Sequence, residues 1–183
     1  PRNVDDFYST KLATDHIKGM FAETVILVEG ATELYALPIY LKRIGFSLAE
    51  HGMEVINCGG KETIPLLWRL FKAYGFSCYI VFDADLKRQE NDKLFAGILS
   101  IDGWQLSPNT FIIESDYAYF GKDFESFFAS VLPDYRQWEQ ESCNLYGITS
   151  KPGKARVIAQ HCRDIPVHIT TLMEKLLAVE LLN

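Results

Sequence analysis

The stretch "TVILVEGATELYALP", residues 24–38, decides the fold. It opens as an apolar, β-branched run closed by Gly30, the pattern of a buried strand. It continues into "ATELYALPIYLKRIGF", where Leu34, Leu37, Leu41 and Ile44 recur at helical spacing. Pro38 is expected to kink or split that helix, because it lacks an N–H and its ring crowds the preceding turn. Glu29 and Glu33 fall at the junction of strand and helix, where burying a carboxylate is expensive.

The same alternation repeats outward. "MEVINCGG" (53–60) reads as a second strand and "ETIPLLWRLFKAYG" (62–75) as a second helix, with Pro65 in its tolerant first turn. "FSCYIVFDAD" (76–85) is a third, fully apolar strand, "NDKLFAGIL" (91–99) a third helix, and "NTFIIES" (109–115) a fourth strand. Apolar strands alternating with helices indicate a parallel sheet covered on both faces. The expected class is therefore α/β and Rossmann-like, a central, mostly parallel four-stranded sheet flanked by helices. Beyond "DFESFFASVL" the pattern turns helical, in "KPGKARVIAQHC" and "HITTLMEKLLAVELLN". The last carries Ile169, Leu172, Met173, Leu176, Val179 and Leu182 at helical spacing, which suits packing on the domain or a homodimer contact. The chain divides into a lead-in segment (1–20), a core (21–132) and a helical C-terminal extension (133–183).

Bulk properties narrow the function. A chain of 183 residues is one ordinary domain able to bury a real core. Its net charge of -6 argues against a general basic nucleic-acid coat. Cys58, Cys78, Cys143 and Cys162 form no C-x-x-C pair, and the four histidines have no metal-ligand spacing, so a zinc site is not expected. The cysteines are expected to be reduced in a cytoplasmic protein. No apolar run reaches about 18 residues, so no membrane span is expected, and no signal peptide precedes the domain. The chain starts at Pro1 without an initiator Met, as a fragment of a longer protein would.

Functional groups in open α/β sheets collect beyond the carboxyl ends of the strands. Glu29 and Glu33 follow strand one, Gly59-Gly60-Lys61 strand two, Asp83 and Asp85 strand three, and Glu114 and Asp116 strand four, with Glu125 further on. Asp83 and Asp85 point to the same side if the chain stays extended. Several carboxylates at one place repel one another and raise their own pKa values, and a divalent cation relieves this. An all-oxygen donor set suits Mg²⁺ or Mn²⁺. Taken singly, each feature has a plainer explanation. Glu33 could complement a helix N-terminus, D-A-D could be a polar strand end, and Glu114 and Asp116 are expected to be solvated. Gly59-Gly60-Lys61 lacks G-x-x-x-x-G-K-[ST] and reads as a plain turn.

Together, "VEGATE", "FDAD", "DFE" and "KPGKA" resemble a Toprim domain, the metal-binding α/β module of topoisomerases, primases and some nucleases. More narrowly, residues 20–165 resemble the Toprim domain of OLD-family (overcoming lysogenization defect) nucleases. The resemblance implies that Glu29, Glu33, Asp83, Asp85 and Glu125 are metal ligands and that Glu29 and Asp83 are catalytic. It implies a catalytic lysine at Lys151, with Lys154 as the fallback. It also implies two Mg²⁺ or Mn²⁺ ions, DNA as partner and substrate, two-metal phosphodiester hydrolysis, and an antiphage role. An N-terminal ABC-type ATPase domain, absent from this chain, is a further implied partner. The five acids account for -5 of the net -6, and two dications would make the site electropositive. Two other readings stand beside this one. A haloacid-dehalogenase-like phosphatase would carry D-x-D on its first strand, whereas here it is on the third. A noncatalytic Toprim interaction module would bind metal without cleaving.

Overall fold

The computed structural model describes residues 14–180. After a short helix α1 (Thr14–Lys18), strand β1 (Thr24–Val28) is buried along its whole length. Helix α2 (Ala31–Arg43) follows, then β2 (Met53–Asn57), α3 (Ile64–Ala73) and β3 (Ser77–Asp83). Helix α4 (Arg88–Leu94), β4 (Phe111–Ile113) and β5 (Tyr117–Phe120) complete the sheet half. Helices α5 (Phe124–Val131), α6 (Tyr135–Asn144), α7 (Lys151–His161) and α8 (Val167–Glu180) close the chain.

The sheet has five strands in the order β2-β1-β3-β5-β4. β2, β1, β3 and β5 run parallel, and β4 is an antiparallel edge. The α/β, mostly parallel architecture is as the sequence implies. The strand read as the fourth, "NTFIIES", is the antiparallel edge, and the fourth parallel strand is β5, "YAYF". A tight turn through Ser115 and Asp116 joins them, with the Glu114 N–H donating to the Tyr117 carbonyl (2.8 Å). Glu114 and Asp116 therefore lie at the edge of the sheet opposite the carboxyl ends of the parallel strands.

The strand period of two divides the core. Ile26, Val28, Tyr79, Val81, Ala118 and Phe120 face α2, α5, α7 and α8. Val25, Leu27, Cys78, Ile80, Phe82 and Tyr119 face α3 and the segment carrying Phe95 and Trp104. Pro38 does not split α2, which runs unbroken from Ala31 to Arg43. Ala36, Leu37, Tyr40 and Leu41 bury its inner face, and burial of that area offsets the missing hydrogen bond. The third helix spans Arg88–Leu94 rather than 91–99, and Gly97, at φ +80°, stands just beyond it. Ile169, Leu172, Leu176 and Val179 of α8 are buried in the same core as the sheet, so that helix packs on the domain, while Leu182 lies outside the described residues. All four cysteines are free. Among the described residues no helix is long and apolar enough to cross a membrane.

Gly121 ends β5 and delivers the chain to the acidic loop at 123–125. A Cβ there would lie 2.6–2.7 Å from backbone atoms of Gln105 and Ser107, which cannot move aside as a side chain would. Gly121→Ala should cost about 1–3 kcal/mol of stability, the usual range for overpacking. Urea unfolding followed by circular dichroism checks this.

Candidate active site

The carboxyl ends of β1 and β3, the N-terminus of α2, the N-terminus of α5 and the N-terminus of α7 meet at one edge of the sheet. Asp83 continues the parity of Tyr79 and Val81, so it faces α2 and α5. Its Oδ1 accepts from the Phe124 N–H (3.0 Å), at the positive end of α5. Beside it, Glu29 Oε2 accepts from the Asp83 N–H (3.1 Å), which ties β1 to β3 at the site itself. Glu33, only 3% exposed, folds back so that Oε2 accepts from the Gly30 N–H (3.1 Å). Glu125, on the first turn of α5, stands 2.8 Å through Oε2 from Lys151 Nζ. Both of its carboxylate oxygens are buried, and neither has a donor in hydrogen-bonding geometry. Lys151 opens α7, whose N-terminus Ser150 caps by accepting from the Gly153 N–H (3.3 Å).

The electrostatics follow from this crowding. Burial, and then the charges of Glu29 and Glu125, push Glu33 up to about 7. Burial, and then Glu33, Glu29 and Glu125, hold Asp83 well above the usual carboxylate range. Burial also raises Glu29, against the pull of Lys61 and the Asp83 N–H. Burial alone would lower the Lys151 ammonium, but Glu125 foremost, with Asp83 and Asp123, raises it on balance. Asp123 goes the other way. Burial would raise it, but the Ser126 N–H, which its Oδ1 accepts at 2.7 Å, and the nearby lysines leave it lowered.

Asp85 stands apart. The extended-chain rule would put it beside Asp83, but the strand ends at Asp83, and Asp85 and Leu86 take left-handed conformations (φ 53° and 60°). Asp tolerates that region better than most residues. Asp85 points instead to Lys61, with Nζ to Oδ2 at 2.5 Å. Glu29, Lys61, Asp85, Asn91 and Lys93 line an open cleft of about 500 Å³. Of the two candidate lysines, Lys151 pairs with Glu125, whereas Lys154 has no acidic partner among the described residues.

Two further groups belong to this site beyond the residues that the family resemblance implies. Lys61, largely buried, is the cation nearest Glu29 and Asp85, and its place after β2 was the signal. Asp123 caps α5 and faces Lys151, and the signal was an Asp directly before an apolar helix. Among the described residues, no group of three or more His, Cys, Asp and Glu side chains is already arranged to hold a metal ion. The donors nevertheless suit a hard cation. Three mutually repelling carboxylates are held with raised pKa values, and of the two buried Glu125 oxygens Oε2 has only the Lys151 ammonium beside it and Oε1 has no donor.

Residues 20–85 match the family model described as "Overcoming lysogenization defect protein-like, TOPRIM domain". In fold, the chain is similar to the C-terminal region of the Xanthomonas campestris pv. campestris OLD protein. The TM-score is 0.63 at 17% identity, covering 90% of this chain and 97% of that one. It is also similar to the C-terminal region of the Burkholderia pseudomallei OLD protein, with a TM-score of 0.61 at 16% identity, covering 87% of this chain and 99% of that one. None of the curated proteins compared matches the chain in sequence.

Proposed function

Starting from the OLD-like Toprim domain that residues 20–85 match, we propose that this chain is a metal-dependent DNA endonuclease domain. In the full-length protein it is coupled to an N-terminal ABC-type ATPase, the arrangement suggested by its likeness in fold to C-terminal regions of OLD proteins. The observation that carries the reading is the gathering of Glu29, Glu33, Asp83 and Glu125, from separate elements, into one electrostatically strained cluster beside Lys151. Strongly perturbed carboxylates beside a cleft mark a functional site.

In this reading Glu29, Glu33, Asp83, Asp85 and Glu125 hold Mg²⁺ or Mn²⁺, two ions being expected. Bound divalent metal supplies Lewis-acid polarisation of the phosphodiester and a nucleophilic water at neutral pH. The chain's own residues do the rest. The backbone of β1 and β3 fixes Glu29 and Asp83 against each other, and α5 fixes Asp83 and Glu125. Asp85 would leave Lys61 to join the other acids, and the freed ammonium, with Lys93 in the same cleft, would offer positive charge to the DNA backbone. Lys151 stays protonated at neutral pH and neutralises negative charge developing on the phosphate. A phosphatase that attacks through Asp83 fits poorly, since its D-x-D would follow the first strand, whereas Asp83 ends β3.

One other reading is a noncatalytic Toprim interaction module, which would hold metal through the same acids without cleaving. A plasmid-nicking assay separates the two. The chain is incubated with supercoiled DNA in Mg²⁺, Mn²⁺, Ca²⁺ or EDTA. Nicking in Mg²⁺ or Mn²⁺ that EDTA abolishes is the expected result. Metal binding without nicking, persisting in the full-length protein with ATP, would leave the interaction module as the better account.

A further inference from the structure

The acidic balance of the chain is not uniform. From residue 142 to residue 163 there is no Asp or Glu, while Lys151, Lys154, Arg156 and Arg163 fall in that stretch. The stretch is the loop 145–150 and helix α7, whose first residue, Lys151, already pairs with Glu125 in the site. Along α7, Arg156 is exposed and, like Lys154, has no acidic partner among the described residues. At 3.6 residues per turn, Arg156 leaves α7 about 140° around from Lys151, on a different face, and at a rise of 1.5 Å per residue it lies about 7–8 Å further along the axis. That is roughly two nucleotides of a stacked strand.

The loop and the helix enclose a second cleft, of about 340 Å³. Tyr146, Ile148, Ser150, Arg156, Gln160 and His161 line it. The close approach of loop to helix depends on Gly153, where a Cβ would meet Ile148 Cγ2 at 2.6 Å. Two of its lining residues, Tyr146 and His161, belong to an aromatic ladder. Trp138 stacks on His161 with centroids 4.7 Å apart, and Tyr146 lies nearly parallel to His161 at 6.0 Å. The Tyr146 side is left open, with the residue 49% exposed. Exposed rings within a basic track are how proteins hold single-stranded nucleic acid: the charges follow the phosphates and the rings stack on bases.

We infer that the cleft between the loop 145–150 and α7 is a single-stranded nucleic-acid track running toward the acidic site, with a nucleobase stacked on Tyr146 and its phosphate carried by Arg156. The inference rests on the nucleic-acid reading above and names the cleft that supplies grip. A strand entering here reaches the acids at the N-terminus of α7, where Lys151 and Glu125 meet. Arg156 contributes charge only, so it serves every sequence alike. Gln160 and His161 border the base with groups able to hydrogen-bond its edge.

The test is fluorescence anisotropy of a labelled oligothymidylate, and of an abasic oligonucleotide of equal length, binding the whole chain in EDTA. EDTA keeps hydrolysis and metal out of the measurement, so this result and plasmid nicking can fail independently. The wild type should prefer the oligothymidylate by about ten-fold, the effect of one stacked base. Tyr146→Ala should lose that preference and Tyr146→Phe should keep it. Arg156→Gln should weaken both oligonucleotides alike and lower the salt slope by about one. Circular dichroism and tryptophan emission report whether each variant is folded. Equal binding of the two oligonucleotides by the wild type, a preference retained by folded Tyr146→Ala, or no binding at all would overturn the inference.

Discussion

Asp83→Asn should lower metal-dependent nicking by at least about 10²-fold, the scale on which removing one fixed electrostatic group acts, while leaving the fold intact. Asn matches Asp in volume and keeps an Oδ1 that accepts the Phe124 N–H, so the hydrogen bond that seats α5 survives. What is lost is the negative charge, the property the proposed chemistry needs. That charge is a burden to the metal-free fold, since burial and the acids Glu33, Glu29 and Glu125 all oppose it. Metal-free Asp83→Asn should therefore be at least as stable as wild type at pH 8. Loss of activity with gain of stability is the signature of a group held in place for function. Glu114→Gln is the matched control. Glu114 is exposed and sits at the opposite edge of the sheet, so its removal should leave the rate unchanged. Equal losses in the two variants would mean a site elsewhere.

The second large effect is a metal-dependent reversal of the pH–stability relation. Glu33 binds its proton in the folded state up to about pH 7, against an ordinary value of 4.5, and Asp83 is raised in the same sense from 3.8. Between the ordinary and the folded values the native state holds more protons than the unfolded chain, so stability falls as pH rises. The raised Glu29 adds to that slope. Asp123, lowered, opposes it only near and below its ordinary value. For Glu33 alone the loss from pH 4.5 to 8 is on the order of 3 kcal/mol, at about 1.4 kcal/mol per unit. With Mg²⁺ or Mn²⁺ saturating the site, the ionised carboxylates become the stabilised form, and stability should hold or rise over the same range. Urea midpoints at pH 5 and 8, each with metal and with EDTA, measure both slopes. A metal-free stability that rises from pH 5 to 8 would contradict the assigned strain.

Much of this was legible because it depends on local pattern. The apolar run of β1 and the run ending at Asp83 are buried on both faces, and that leaves a plain signature in sequence. Acids placed directly after such strands fall at the carboxyl edge whatever the helices do, so Glu29, Glu33 and Asp83 could be grouped without a structure. What failed depended on backbone angles or on long-range pairing. The two-residue turn between β4 and β5 carries no glycine, so "FIIESDYAYF" read as one strand and its trailing loop, and the true fourth parallel strand was missed. The left-handed turn at Asp85 sends its carboxylate to Lys61, and period-two reasoning has no access to φ. Lys61 was set aside because its loop is not a phosphate-binding motif. Its partner, Asp85, follows β3, 24 positions away in the chain, and only the sheet brings them together. Pro38 was weighted by its local cost, and the burial of α2 against the sheet outweighed it.

The most direct test of the central claim, that these carboxylates form a divalent-metal centre, is a calorimetric titration of Mn²⁺ into the chain at pH 7. It should be repeated in buffers of different ionisation enthalpy, with wild type and Asp83→Asn. The account predicts saturable binding that releases protons, because Glu33, pushed up to about 7, is partly protonated in the metal-free fold, and it predicts that Asp83→Asn loses most of that affinity. No saturable binding by the wild type, or binding without proton release that Asp83→Asn leaves unchanged, would contradict it.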